Sequence, residues 1–370
     1  MTAILQGNGQ KPFSFVEKTN LRCSRCVLPA CTPNIAFDRE GVCTYCHTYV
    51  QFRLKGEPAL VKLLHNHRRS ESKYDCLVGL SGGRDSSYTL LKLAKDFRMK
   101  VLAVNYENPF TDPQAKKNIE NSIKRLSVDL ASFKLKGNIH ERTFKNNLLA
   151  WFRSPSPALI GSICIACKTF CWNILRIARE HDIHCIVFGG NPYEYTSFKK
   201  ELLHVSRDEG HESAFIKYAF GFLREVVRNP AYLHPICVPT MAKGYLFGNQ
   251  YAIGSRLFAG GITWIDLFHY LRWDEQEILS RIQSELDWDY PRKLNSTWRF
   301  DCRVGHLKDF MYMKTLGMTE RDDFYAQVVR QGLMTREDAL RRLQRENRLH
   351  LDEIQVLLRQ VGIEDTSFLN

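Results

Sequence analysis

The sequence predicts an α/β protein: a parallel sheet flanked by helices, preceded by a small cysteine-rich ribbon and followed by a mostly helical carboxyl region. Three observations carry this. Between residues 74 and 190, short apolar runs alternate with longer segments of helical period. Two C-x-x-C pairs, Cys23/Cys26 and Cys43/Cys46, stand upstream in a stretch with little periodicity. Past about residue 200 the helical period dominates.

Residues 1–20 read as a loose arm, 21–50 as the ribbon and 51–72 as a basic helical connector. The sheet domain is expected over 73–235 and the helical carboxyl region over 236–370. YDCLVGL (74–80) is an apolar run closed by glycines, a buried strand. RDSSYTLLKLAKDF (84–97) places its apolar residues on neighbouring helical faces. KVLAVNY (100–106) is a second strand, and 112–126 a helix with Pro113 in its first turn. DLASFKL (129–135) is a third strand, 164–182 a helix, and HCIVFGG (184–190) a fourth strand. Strands alternating with helices imply right-handed crossovers and a parallel sheet. Further helices are expected at roughly 213–228, 240–258, 274–287, 303–315, 319–332, 335–348 and 351–361. Thr335 is the expected cap of the penultimate one, with Asp338 three residues on.

The 370 residues carry 52 Lys+Arg against 40 Asp+Glu, a balance of +12 that favours anionic partners. No run of about 18 apolar residues occurs, so no membrane insertion is expected. The opening residues lack the apolar core of a secretion signal. Twelve cysteines in that context imply reduced thiols in the cytoplasm.

The chemistry centres on SGGRDSS (81–87), set between a strand and a helix. Gly82 and Gly83 let the backbone bring N–H groups against an anion, and Ser81, Ser86 and Ser87 add hydroxyl donors. Arg84 would supply a mobile fork for two oxygens. The Gly-Lys-Ser/Thr ending of a Walker loop is absent. The pattern instead resembles the PP-loop of ATP pyrophosphatases. That resemblance implies ATP cleaved between its α and β phosphates, Mg²⁺ placed with the help of Asp85, and adenine received near Asn105 and Tyr106. The fourth strand ends in Gly189-Gly190-Asn191-Pro192-Tyr193-Glu194, at the sheet edge where open α/β folds bind ligands. Gly190 and Asn191 are candidate nucleotide contacts, and Glu194 a candidate contact to acceptor or metal.

Cys23, Cys26, Cys43 and Cys46 have the spacing of a four-thiolate zinc ribbon, with Cys31 and His47 as spare ligands. Cys164 and Cys167 form a different pair at the start of a helix. Three readings stay open for it: a metal or iron–sulfur site completed by Cys302, a redox or sulfur-carrying pair, or a structural turn. Cys76, Cys185 and Cys237 read as core residues.

Taken together, CSRCVLPACTPNIAFDREGVCTYC, SGGRDSS, GSICIACKTF and WDYPRKLNSTWRFDC…GMTERDDFYAQVVRQGLMTREDAL resemble the N-acetyl sugar amidotransferases of surface-polysaccharide biosynthesis, including lipopolysaccharide, over about residues 20–345. The resemblance implies conversion of an acetamido group on a nucleotide-linked sugar to an acetamidino group. It also implies ammonia supplied by a separate glutaminase and a cyclase-like channel subunit. No glutaminase elbow is visible in this chain. Many members carry Lys-His-x-Glu-Ser where this chain reads Arg292-Lys293-Leu294-Asn295-Ser296, which leaves the acceptor open. Lys293, with Arg84 and Asp85, is a candidate catalytic residue; Lys293, Ser296 and Arg299 are candidate acceptor contacts, with Arg303 and Arg321 as further cations. The rival reading is an RNA sulfurtransferase with an iron–sulfur site, although no RNA-binding appendage is evident. A zinc-ribbon scaffold that only senses ATP fits poorly with an intact loop.

Overall fold

The computed structural model describes residues 21–206 and 211–369; the arm expected over 1–20 lies outside them. Its centre is a five-stranded sheet of order β3-β2-β1-β4-β5, parallel throughout. The strands are β1 (Cys76–Gly79), β2 (Val101–Tyr106), β3 (Asp129–Phe133), β4 (Cys185–Phe188) and β5 (Thr263–Asp266). The four expected strands are present. Val78 of β1 pairs with Ala103 on one side and Val187 on the other, which fixes the centre of the sheet. Cys76, Leu77, Val78, Ile186 and Val187 have no exposed surface, as expected for strands covered on both faces. Each aliphatic side chain among them contributes roughly 1.5–3 kcal/mol relative to exposure. Edge strand β3 leaves Leu130 on the surface.

β5 was not expected. It pairs with β4 from inside the region read as mostly helical, so the sheet extends past residue 235. TWID is too short for its alternation to declare a strand; β4 supplies the partner that makes it one. Chain order reverses at β1: β2 lies to one side and β4 to the other. The loop after β1 therefore opens at the point where crossovers leave toward opposite directions, the usual crevice of such sheets.

The helices refine the expected boundaries. The 84–97 segment is α-helical over Arg84–Leu91 and then widens into a π turn, Lys92–Asp96. The 112–126 helix runs Pro113–Leu126, capped by the Asp112 side chain, which accepts from Gln114 N. The 164–182 segment starts as a 3₁₀ turn, Ile165–Thr169, and is α-helical over Phe170–Glu180. The 240–258 segment divides into Val238–Phe247 and Ile253–Phe258. Five carboxyl helices lie where the sequence places them: Glu275–Leu286, Val304–Leu316, Glu320–Arg330, Arg336–Glu346 and Leu351–Gln360. Thr319 and Asp322 form a capping box, and Thr335 caps its helix by accepting from Asp338 N.

The ribbon rests on two of these helices. Arg22 pairs with Asp322 at 2.7 Å, and Arg336 Nε donates to the Cys23 and Cys26 carbonyls at 3.0 and 2.9 Å. Gln331 ties down the connector by accepting from Phe52 N and donating to Phe52 O. No helix among the described residues is long and apolar enough to cross a membrane.

Candidate functional site

The loop after β1 turns at Gly82, whose φ of +79° favours glycine, and an added Cβ there would collide with the Ala115 carbonyl oxygen. Two donors hold the Gly82 carbonyl inward: Asn118 Nδ2 at 3.1 Å and Trp288 Nε1 at 3.0 Å. The trans peptide consequently turns the Gly83 N–H the other way, toward Ser81 Oγ at 3.3 Å. Ser81 and Ser86 hydroxyls lie 3.1 Å apart, and Ser86 donates to the Gly83 carbonyl. Ser81 is exposed, so this is a preformed rim of N–H and O–H groups at a helix start. Ser87 is fully buried and its Oγ has no hydrogen-bond partner.

Arg84 is not the mobile fork expected. Only 4% exposed, it lies beneath the loop, pairing with Asp85 at 2.9 Å and Glu275 at 2.5 Å and donating to Thr297. Its guanidinium also stacks 4.9 Å from the Trp273 ring centre. The physical reason is the carboxyl region: Glu275 and Trp273 offer a buried cation more than solvent does. Burial alone would push Glu275 up, but Arg84 and Arg342 hold it down at about 2. Arg84 thus positions Asp85, whose Oδ1 also accepts from Trp273 Nε1 at 3.3 Å.

Opposite the loop, the end of β4 and the segment 298–301 bring further charge together. Gly190 packs where a Cβ would collide with the Asp266 carboxylate. Asn191 is buried; its Oδ1 accepts from Tyr193 N, while its Nδ2 has no partner. Glu194 accepts from Trp298 Nε1 at 2.8 Å and faces Arg299 at 3.4 Å. Arg299, held at φ +50°, also pairs with Glu320 at 2.7 Å, and Lys199 pairs with the same carboxylate. Asp301 places its carboxyl beside Gly83. Burial pushes Glu194 and Asp301 up and Lys199 down to about 8. These groups are taken largely out of water, while the Lys199 and Arg299 side chains keep part of their surface accessible.

A third group borders β2 and the Ile165–Thr169 turn. Cys164 and Cys167 Sγ are 3.2 Å apart, with His140 Nε2 at 2.9 Å from the first and 3.7 Å from the second. Their mutual hydrogen bond pushes the Cys164 thiol up and the Cys167 thiol down. Tyr106 OH lies 2.6 Å from His140 Nδ1. Cys302 was expected to complete the pair. It lies outside the group that closes within 4.8 Å, which is His140, Cys164 and Cys167. A backbone bridge to Thr111 and a 3.4 Å contact from Asn108 Nδ2 hold Cys302 instead.

The ribbon thiols form a group within 4.8 Å, and all four are buried. Cys23–Cys46 and Cys26–Cys43 are each separated by 3.8 Å. Thiolates at about 2.3 Å from a tetrahedral ion sit about 3.8 Å apart, so the set fits one metal ion. Backbone N–H groups of Arg25, Cys26 and Cys43 aim at Cys23 Sγ. The spare ligands take no part: His47 is exposed and pairs with Asp38, and Cys31 lies outside the group.

Other expected site residues go elsewhere. Lys293 is exposed and pairs with Asp352 and Glu353, contacts that draw it to the last helix and not to the loop. Ser296 is buried and donates to Glu346, an internal link. Asn105 Nδ2 donates to the Leu80 carbonyl, tying β2 to the start of the loop. Arg303 pairs with Glu353 and Arg321 with Asp309. Asp301, Lys199, Glu275 and His140 escaped sequence reasoning. Asp301 stood in view beside Cys302; His140, a single histidine in an amphipathic helix, carried no signal at all.

No family model matches the chain. An uncharacterized protein of Methanocaldococcus jannaschii is 29% identical over 116 residues, 30% of this chain and 41% of that protein, so the match spans under half of the relative's length. Similar solved structures include an NMN synthetase from Francisella tularensis, at 12% identity and TM-score 0.37, covering 80% of this chain and 93% of that one. A U34-tRNA thiolase from Methanococcus maripaludis with its 4Fe–4S cluster has 12% identity and TM-score 0.31, covering 88% and 89%. An ammonia-dependent NAD synthetase from Campylobacter jejuni has 12% identity and TM-score 0.29, covering 52% and 94%. Likenesses this distant carry no argument about what this chain acts on.

Proposed function

We propose that the chain is an ATP-dependent, AMP-forming amidotransferase acting on an acetamido group of a nucleotide-linked sugar. The observation that carries the reading is the Ser81–Ser87 loop: a glycine turn at the sheet's reversal point, rimmed with N–H and O–H donors, with no Walker lysine. Such a rim suits a departing pyrophosphate. The Ser81, Gly83 and Ser86 donors would hold it, with Asn191 Nδ2 as one more unspent donor. Asp85, Asp301 and Glu194 are the carboxylates that would hold Mg²⁺, which when bound would neutralise phosphate charge. Arg299 and Lys199 add the nearby positive charge.

The acetamido oxygen attacks the α-phosphorus, pyrophosphate leaves, and ammonia then displaces AMP from the activated carbon. Ammonia would come from a separate glutaminase through a cyclase-like partner. A zinc ion in the Cys23/Cys26/Cys43/Cys46 set would staple the ribbon. ATP consumption and cysteines kept reduced fit the cytoplasm. The test mixes protein, Mg-ATP, ammonium and a panel of UDP-linked acetamido sugars. The expected result is AMP together with a sugar in which NH has replaced oxygen. AMP formation with none of the panel would overturn the reading.

A second reading, a tRNA sulfurtransferase, is favoured by one observation, the Cys164–Cys167 pair with its 3.2 Å sulfur contact. Thiolated nucleosides formed from tRNA, ATP and sulfide, with no amidinated sugar, would select it.

A further inference from the structure

We propose that His140, Cys164 and Cys167 form a second metal site, separate from the ribbon, that binds one divalent transition-metal ion and leaves a coordination position open. It does not depend on which acceptor the enzyme uses. Three soft donors converge from two elements distant in sequence: Nε2 of His140 from the helix Ile139–Arg153, and two thiol sulfurs from the turn at 164–169. Such an S₂N set suits zinc or ferrous iron and disfavours Mg²⁺ and Ca²⁺.

The histidine is oriented for the task. Tyr106 OH engages Nδ1 at 2.6 Å and leaves Nε2 facing the sulfurs. The His140 ring lies between Tyr106, stacked at 5.6 Å, and Phe110, edge-on at 5.0 Å, so its plane is fixed. A partner on the remote nitrogen is the common support of a metal-bound imidazole. A fold that wanted only a buried histidine would not need two thiols on its other nitrogen.

The spacing needs a small adjustment. Around a tetrahedral zinc-sized ion, sulfurs lie about 3.8 Å apart and sulfur and nitrogen about 3.6 Å. The present separations are 3.2 Å for the sulfurs and 2.9 and 3.7 Å to nitrogen, so the set must open by about 0.6–0.7 Å at its two closest contacts. Cys167 is partly accessible and can open the sulfur–sulfur contact, whereas the His140–Cys164 contact must open within the buried pair. The same asymmetry sets the open position on the Cys167 side. Three protein ligands with a free position are the mark of a reactive ion, four of a structural one. The free position would take a small exogenous ligand, for which sulfide is a probe.

The test uses the full chain, stripped of metal under reducing anaerobic conditions and titrated with Co²⁺. Two equivalents are expected, with thiolate-to-cobalt absorption from both. Added sulfide should shift only the weaker, open-site spectrum. His140→Ala and Cys167→Ser should each bind one equivalent with the ribbon spectrum intact, and Cys302→Ser should still bind two. Tyr106→Phe keeps every ligand and should weaken the second equivalent about tenfold without touching the first. A single equivalent in the unaltered chain, two in His140→Ala, or loss of the second site in Cys302→Ser would each overturn the proposal. So would an iron–sulfur cluster with acid-labile sulfide in protein purified anaerobically.

Discussion

The ribbon and the group beside β2 both gather cysteines by a C-x-x-C spacing, but the two are finished differently. In the ribbon all four sulfurs are buried, their separations already fit one ion, and Arg336 anchors the surrounding carbonyls. Beside β2 two sulfurs meet a histidine, and one of them stays accessible. The same contrast runs through the charges. Arg84 is sealed among Asp85, Glu275 and Trp273, whereas Arg299 and Lys199 remain partly open to solvent around Glu320. Closed sets hold the fold and open sets are available to a ligand. Variants in the first should lose stability, and variants in the second should lose chemistry while staying folded.

The largest effect is expected from Cys43→Ser. Removing one of four ligands releases the ribbon metal, and with it several kcal/mol of stability from a segment too small for its own core. Metal content should fall by the ribbon's equivalent and the melting temperature should drop. A variant that melts like the unaltered chain would erase the distinction between the two regions. Asp85→Asn is the counterpart in the cleft. It keeps the side-chain shape beside Arg84 and Trp273 but removes the charge proposed to hold Mg²⁺. AMP release should fall about 10²–10³-fold, and melting should drop by less than in Cys43→Ser, because Arg84 keeps its Glu275 partner. Equal losses of stability and rate would mean that Asp85 serves only to neutralise Arg84.

What was legible in the sequence follows the same division. Local patterns declared themselves: the four strands at and around β1, the glycine turn, the four-cysteine spacing of the ribbon, the Thr335 cap. Each is carried by short stretches of neighbouring residues. Groups assembled across the chain did not show. Glu275 lies 191 residues from Arg84, and that distance hid the partner that turns an apparent phosphate fork into a buried anchor. His140 and Cys164 are 24 residues apart on different elements, with no motif to join them. β5 escaped for a related reason, since four residues become a strand only beside β4. Lys293 was read by charge alone, and its pairing with Glu353 belongs to the packing of the last helix.

A smaller effect should come from Gly82→Ala. The positive φ and the Ala115 carbonyl oppose any Cβ, so the loop must shift. A cost of about 1–3 kcal/mol is expected. Because the loop is both structural and ligand-facing, this one variant should lose stability and nucleotide affinity together, as a thermal melt with and without Mg-ATP would show. Affinity retained alongside a lowered melt would place the phosphates away from Gly82.

The smallest effect is a pH dependence. Burial lowers the Lys199 ammonium to about 8, despite the nearby Glu320 carboxylate. Below that pH the side chain is cationic, and above it is neutral. Affinity for pyrophosphate should therefore be greatest below about pH 8 and fall as pH rises through it, by roughly tenfold for one charge-assisted contact. Bound pyrophosphate favours the charged form, so binding in that window should take up a proton, measurable by calorimetry in buffers of different ionisation enthalpy. Stability responds with the opposite sign. The unfolded lysine titrates near its ordinary 10.5, so between about 8 and that value the unfolded chain binds more protons, and this group favours the fold increasingly as pH rises. A lysine whose deprotonation weakens ligand binding while relieving the fold is one held charged for the ligand's sake. Lys199→Arg, cationic throughout, should flatten the affinity profile. A flat profile in the unaltered chain would return Lys199 to the closed sets, as a partner of Glu320 and nothing more.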